Sequence, residues 1–515
     1  MQQLSSLDAS FYFLETEHTP MHVGGLYLFD NSETGQDFTF AQFRELILSR
    51  LHIARFFRQR IIEVPLKLDN PYWVDDPDFH VDNHLLHVPL GKPSNRKKLV
   101  NMAAAEFAKP LERDKPLWEA IFVDGFDEEE FGSHRFAVIF KLHHCAIDNI
   151  SGEEMISALL DVEPNLSRSE IAREWRPEEL PTETELLLKS YKKKASQMAQ
   201  LGQLGQLARE FLSNLTNTML KKRLVESSGN QPGLFSAPHT PFNGSISCRR
   251  VFGHKALDMS RIKAVRDAVD GATVNDVILT ICSGALRHYL NFKRNLPRKS
   301  LIAFSPLSVR SRTIHASFGN QMSATLVRLG THIENPVERL LTIHKSVSSS
   351  KVYNHAISAD SLTEIIPTTT LALASRLYSG LHLADRHSPI YNLSITNVPG
   401  PQRPLYLGSA KLESQSNSAP LFDGLGLVIV ALSYNGVVDI AVTSTPEVMP
   451  DMQIMTDAIG IALNDLEVAI EKSSVTSVDS DPTEGRSELP VVLTKSIWDE
   501  VLEKAKGAVG LDSSQ

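Results

Sequence analysis

Cysteine is scarce: three in 515 residues, Cys145, Cys248 and Cys282, odd in number and widely separated. That excludes a disulfide framework and any zinc spacing, so they read as free thiols of a reducing cytosol. Positive charge is also short, with 52 Lys and Arg against 61 Asp and Glu and a formal net charge of −9. A nucleic-acid binder needs the opposite balance to displace counterions from phosphates, so no nucleic-acid partner is expected. No apolar run reaches the ~18–20 residues that span a bilayer. The opening MQQLSSLDAS lacks a basic stretch followed by an apolar core, so no secretory signal is expected. No plausible G-x-S-x-G elbow occurs, which removes the main support for a lipase-type Ser/His/Asp centre. What remains is ordinary globular composition, 42% hydrophobic and 22% charged, over a length that suits two domains.

The segment RFAVIFKLHHCAIDN, ending at Asn149, carries the chemistry. Its alternation predicts a strand with Phe136, Val138, Phe140, Leu142 and His144 on one face and Ala137, Ile139, Lys141 and His143 on the other. Neighbouring imidazoles on opposite faces do not converge on one ion, so no metal is expected. One His is free to face a cleft while the other braces the strand. Ser151-Gly152-Glu153-Glu154 then reads as a capping box opening a helix with the stripe Met155, Ile156, Leu159 and Leu160. Cys145, inside the motif, reads as a small turn residue rather than a nucleophile.

Six segments in order resemble the bacterial wax ester synthase/acyl-CoA:diacylglycerol acyltransferase family, whose motif is HHxxxDG. They are LSSLDASFYFLETEHTPMHVGGLYLF, KPLWE, HHCAIDN, ATVNDVILTICSGALRHYL, SPLSVR and TNVPGP, and the resemblance runs to about residue 470. It implies an α/β fold of two chloramphenicol-acetyltransferase-like mixed-sheet halves, with an active-site channel between them, as in peptide-synthetase condensation domains. It implies His144 as general base, His143 as a supporting residue, and Asp148 as a structural acid paired with Arg310, or with Arg312 as second choice. Pro116, Leu117 and Trp118 match the family's PLW segment, linked there to acyl-chain or acceptor selection; locally Trp118 also reads as a core residue. Asn275 and Asp276 read locally as helix-capping residues and by resemblance as support for the channel. Thr396 and Asn397 are candidates to hydrogen-bond an oxyanion. Asn149 departs from the motif's Gly; Asn tolerates the left-handed region but adds bulk beside the base.

The expected activity is O-acyl transfer from acyl-CoA to a diacylglycerol or long-chain alcohol, giving triacylglycerol or wax ester, with acyl-CoA as a substrate and no cofactor. Two alternatives stay open: a catalytically weak homologue that binds lipid or coats storage droplets, and a condensation-type acyltransferase with another acceptor.

Along the chain, 1–165 reads as the N-terminal half carrying HHCAIDN, 166–245 as a helical crossover linker, 246–472 as the C-terminal half, and 473–515 as a low-complexity tail with a possible short helix. In the linker Leu201, Leu204, Ala208, Phe211 and Leu215 recur at helical spacing near Lys192, Lys193, Lys194, Lys221, Lys222 and Arg223. That pattern suits a connecting helix on a core or one lying on an anionic lipid surface. The expected location is therefore cytoplasmic, in peripheral contact with the inner membrane or lipid inclusions. Asn435-Gly436 between two β-rich runs predicts a type I′ hairpin.

Overall fold

The computed structural model describes residues 1–146, 159–164, 175–192, 236–308, 322–354 and 388–478. The first half holds β1 (Gln2–Gln3), helix α1 (Ser6–Leu14), β2 (His22–Asp30), helix α2 (Phe40–Arg50), β3 (Gln59–Ile62), β4 (Tyr72–Asp75), β5 (Leu85–His87), helix α3 (Arg96–Phe107), β6 (Trp118–Val123) and β7 (Arg135–His143). The second holds β8 (Val251–Asp258), β9 (Ile302–Ser308), β10 (Met322–Arg328), β11 (Leu393–Pro399), β12 (Tyr406–Leu407), β13 (Ala410–Ser418), β14 (Leu427–Tyr434) and β15 (Val437–Ser444). Its helices include Met259–Ala268, Val274–Phe292, Pro336–Asn354 and Met452–Val478.

Two six-stranded mixed sheets organise these elements, in the orders β12-β13-β2-β7-β6-β5 and β10-β9-β11-β14-β15-β8, beside a small sheet β1-β4-β3. Neither large sheet is drawn from one contiguous stretch of chain. Strand β13 lies in sequence inside the second half, yet it pairs antiparallel with β2 from Lys411↔Asp30 to Ser418↔Gly24 and so completes the first sheet. The crossing is pinned to the second sheet. Tyr434 Oη accepts the Leu405 N–H at 2.9 Å and donates to the Leu412 carbonyl at 3.1 Å, and the Thr443 and Ser418 hydroxyls meet at 3.0 Å.

The helix Val274–Phe292 is buried without interruption from Asp276 to Leu286, the pattern of a central rather than a surface helix. It anchors the core of the second half with Ile429, Ile440 and Leu463. The Asn435-Gly436 hairpin forms as expected, both residues at positive φ (45° and 84°) between β14 and β15. No helix among the described residues is long and apolar enough to cross a membrane.

Candidate active site

Strand β7 enters the site with each face in a different core. Phe136, Val138, Phe140 and Leu142 pack on one side, Ala137 and Ile139 on the other, as alternation requires. The strand stops at His143, and His144 opens a short 3-10 turn, His144–Ala146. The Cys145 N–H turns back onto His143 Nδ1 at 3.2 Å. Because His144 has left the strand, the two rings do not simply oppose one another. Both meet α1: His143 edge-on to Tyr12 at 6.3 Å, and His144 stacked on Phe11 at 3.9 Å.

His143 is fully buried. Its Nδ1 receives the Cys145 backbone N–H, and its Nε2 faces Glu15 Oε2 at 3.6 Å. Glu15 is itself 4% exposed. It also accepts from Arg113 Nε at 3.0 Å and from the Met21 N–H at 3.1 Å. Burial would push the Glu15 carboxyl up, but His143, Arg113 and the Met21 N–H together bring it down to about 2. Arg113 lies over the Tyr12 ring at 4.4 Å and donates to the Tyr12 carbonyl at 2.7 Å. The Cys145 thiol lies 2.9 Å from His143 Nδ1. Burial, then the charges of Asp8 and Glu15, hold that thiol well above its ordinary value, so it carries no thiolate for attack.

His144 is the more open of the pair. It is half-buried, and its backbone N–H donates to the Met21 carbonyl at 2.7 Å. Met21 thus links Glu15, through its N–H, to His144, through its C=O. Among the described residues the buried His144 Nδ1 has no hydrogen-bond partner. Burial and the neighbouring His143 push the ring's pKa down to about 4, so the imidazole is neutral at ordinary working pH.

The PLW segment is brought to this turn. Pro116, Leu117 and Trp118 are buried, the Leu117 carbonyl accepts the His143 N–H at 3.0 Å, and Trp118 sits opposite Leu142 across β6 and β7. Trp118 donates its indole N–H to the Phe57 carbonyl at 2.9 Å and stacks on His84 at 4.6 Å.

A second group forms in the other half. Thr273 caps the helix Val274–Phe292, and Asp276 is the reciprocal partner of its capping box. Asp276 Oδ2 further accepts from His344 Nδ1 at 2.9 Å. Asn275 does not cap, contrary to its local sequence reading. Its Oδ1 accepts from Asn397 Nδ2 at 3.2 Å, tying the helix start to β11, where Thr396 and Asn397 are half-buried. Asp276→Ala should therefore cost about 3 kcal/mol, from a lost cap and lost charged hydrogen bonds. Asn275→Ala should stay within about 1 kcal/mol; urea unfolding of the two variants separates them. Among the described residues no hydrogen bond or ion pair joins this group to His143 or His144. Asp148, Asn149, Arg310 with Arg312, and the Ser151–Glu154 capping box lie outside the described residues.

Sequence reasoning missed Glu15, Arg113 and Met21. One signal was available: Glu15 ends α1 as its C-cap, where the helix dipole disfavours an anion, so a carboxylate there implies a partner elsewhere.

The wax ester synthase/diacylglycerol acyltransferase catalytic-domain model matches residues 4–278, and the family's C-terminal domain model matches residues 318–467. An O-acyltransferase of Acinetobacter baylyi is 30% identical over 456 residues, 88% of this chain and 94% of the relative. The solved wax ester synthase/diacylglycerol acyltransferase of Marinobacter aquaeolei matches with a TM-score of 0.65 at 28% identity, covering 92% of this chain and 100% of that one. The first condensation domain of the calcium-dependent antibiotic synthetase shares the fold alone, with a TM-score of 0.52 at 13% identity, covering 91% of this chain and 96% of that one. With both family models matched in order around a paired-histidine turn, this chain belongs to the wax ester synthase/diacylglycerol acyltransferase family.

Proposed function

We propose that the protein transfers a long-chain acyl group from acyl-CoA to the hydroxyl of a diacylglycerol or long-chain alcohol, forming triacylglycerol or wax ester, with His144 as general base. The observation that carries this reading is the state of His144: half-buried, stacked on Phe11, held through its backbone by Met21, and neutral. A neutral imidazole takes the proton from the acceptor hydroxyl as its oxygen attacks the thioester carbonyl. The tetrahedral oxyanion collapses with cleavage of the C–S bond, and the imidazolium returns the proton to the departing CoA thiolate. No acyl-enzyme is needed. Nor does this chemistry call for a metal or resident cofactor; acyl-CoA is a substrate.

In this reading His143 braces the turn, and Asp148 is a structural acid that pairs with Arg310. Thr396 and Asn397 supply a hydrogen bond to the oxyanion, with Asn275 fixing the Asn397 amide. The protein works in the cytoplasm against the inner membrane or lipid inclusions, since its substrates reside there and the 192–223 stretch combines leucines with lysines.

The test offers radiolabelled palmitoyl-CoA with hexadecanol and with dipalmitoylglycerol in separate assays of the purified protein. Product with either supports the reading and names the acceptor; no product from wild type or from Asn149→Gly overturns it. The pH profile gives an independent check. The His144 pKa lies at about 4 instead of 6.5, so kcat/KM should hold as pH falls through 6.5 and decline only near 4. An acid limb at 6.5 would count against His144 as the base.

A further inference from the structure

Met21 supports the catalytic turn from both of its backbone groups, with its N–H on Glu15 and its C=O on the His144 N–H. What fixes Met21 therefore fixes the base. The chain reaches it through a tight turn, Thr16 to Thr19, in which the two threonine backbones bond in both directions and their hydroxyls meet at 2.7 Å. These local bonds set the shape of the turn and not its place.

Its place is set from the other half of the chain. Arg250, just before β8, donates from Nη2 to the His18 carbonyl at 2.8 Å, across 232 residues of sequence. Its Nη1 donates to the Ser247 and Arg249 carbonyls at 2.7 and 3.0 Å. One arm of the planar guanidinium is thus locked on its own turn, which aims the other arm at His18. A lysine has no such fork. Arg250 is 9% exposed, and among the described residues it pairs with no carboxylate; Glu447, the acid whose charge reaches it, is bonded to Arg249 and Ser247. Burial draws the guanidinium down to about 10, which leaves it charged at working pH. A buried cation bonded only to neutral carbonyls carries a desolvation cost that a neutral donor avoids, so stability alone does not account for it.

Strand β8 grips the far side of Met21 as well. Phe252 packs edge-on to Phe107 at 5.3 Å, and the Phe107 carbonyl lies 3.1 Å from His22 Nε2. A Cβ at Gly24 would fall 2.3 Å from the Phe107 ring, so glycine is what lets Phe107 lie against β2. Arg250 and Phe252 of the second half thus bracket Met21, one through His18 and the other through His22.

We propose that Arg250 is a positioning residue for the transfer reaction: acting from the second half through the His18 carbonyl, it sets where Met21, and with it His144, stands. The inference rests on the reading of His144 as general base. It adds that the histidine turn, although built in the first half, is completed by the second.

Arg250→Met keeps the length and bulk of the side chain and removes the donor. In the full-length protein, kcat for ester formation should fall about 10- to 100-fold with KM for palmitoyl-CoA little changed, as expected of a displaced base rather than a lost binding contact. The melting temperature should stay near that of wild type, because the burial cost of the charge goes with the hydrogen bond. Labelling of His144 by diethyl pyrocarbonate, read by mass spectrometry, follows the displacement without turnover, and its rate should rise as the ring leaves its stack on Phe11. Arg250→Lys, which keeps a cation but not the fork, takes the same measurements if the Met variant fails to fold, and its kcat should fall about tenfold. A folded variant with wild-type kcat and labelling overturns the proposal, whether or not its melting temperature drops. So does a raised KM at unchanged kcat, which would make Arg250 a substrate contact. If wild type makes no ester, the reading of His144 as base fails, and the labelling rate alone decides whether Arg250 places the ring.

Discussion

His144→Ala should lower kcat for ester formation by about a thousandfold, within the usual range for loss of a general base, while the fold survives. The survival follows from the site. His144 is half-buried and sits in a turn rather than in the β7 ladder, and among the described residues its Nδ1 has no partner, so alanine strands no hydrogen-bonding group there. What is lost is the stack on Phe11 and the base itself. The measurement is single-turnover ester formation beside a thermal melt. A variant that melts like wild type and keeps its turnover shows that the proton goes elsewhere; one that keeps the melt and loses turnover assigns it to this ring. The pair of histidines also predicts how stability responds to acid. The folded-state pKa values of His144, about 4, and His22, about 3, both lie below 6.5. In that window the unfolded chain binds more protons, so the melting temperature should fall as pH drops from 6.5 toward 4.

The second large effect is expected at Glu15. Glu15→Ala leaves the Arg113 guanidinium and the Met21 N–H without their common acceptor and removes the charge that faces His143 Nε2 at 3.6 Å. The cost should be about 3 kcal/mol, the low end for breaking a buried pair, because Arg113 keeps 33% of its side-chain exposure and rehydrates. Glu15→Gln separates position from stability. It retains an acceptor for Met21 but removes the charge facing His143, and the resulting displacement of the turn should lower kcat about 10- to 100-fold with KM little changed. Because the Glu15 carboxyl sits at about 2 in the fold against 4.5 unperturbed, its contribution is complete above pH 4.5 and is lost as pH falls toward 2. That acid-side loss should be absent from Glu15→Gln. If the Gln variant shows wild-type kcat, Glu15 holds the fold and does not position the catalytic turn.

Local pattern carried much of this molecule. The alternation Phe136 to Leu142 assigned each side chain of β7 to its core, because a strand's period of two is a property of the chain itself. Asn435-Gly436 fixed the β14–β15 hairpin for the same kind of reason: few residue pairs accept positive φ twice in succession. The two histidines stood out as a candidate site, since adjacent imidazoles at a strand end, followed by an acid, have a restricted set of uses. Alternation failed at His144, where one backbone hydrogen bond from Cys145 to the His143 ring turned the chain out of the strand.

The rest was set by partners remote in sequence. Glu15 finds Arg113 across 98 residues, Asn397 finds Asn275 across 122, and β13 leaves the half of the chain that carries it to complete the sheet of the other. Burial makes these pairings obligatory, because a carboxylate or an amide removed from water must be matched inside the protein. Yet no periodicity announces which distant residue does the matching. The sequence by itself determined the alternation of β7, the β14–β15 hairpin and the family, from local geometry and motif. Only the tertiary structure decided what holds the histidine turn and why His144 stays neutral, since both depend on how surfaces far apart in sequence exclude water together.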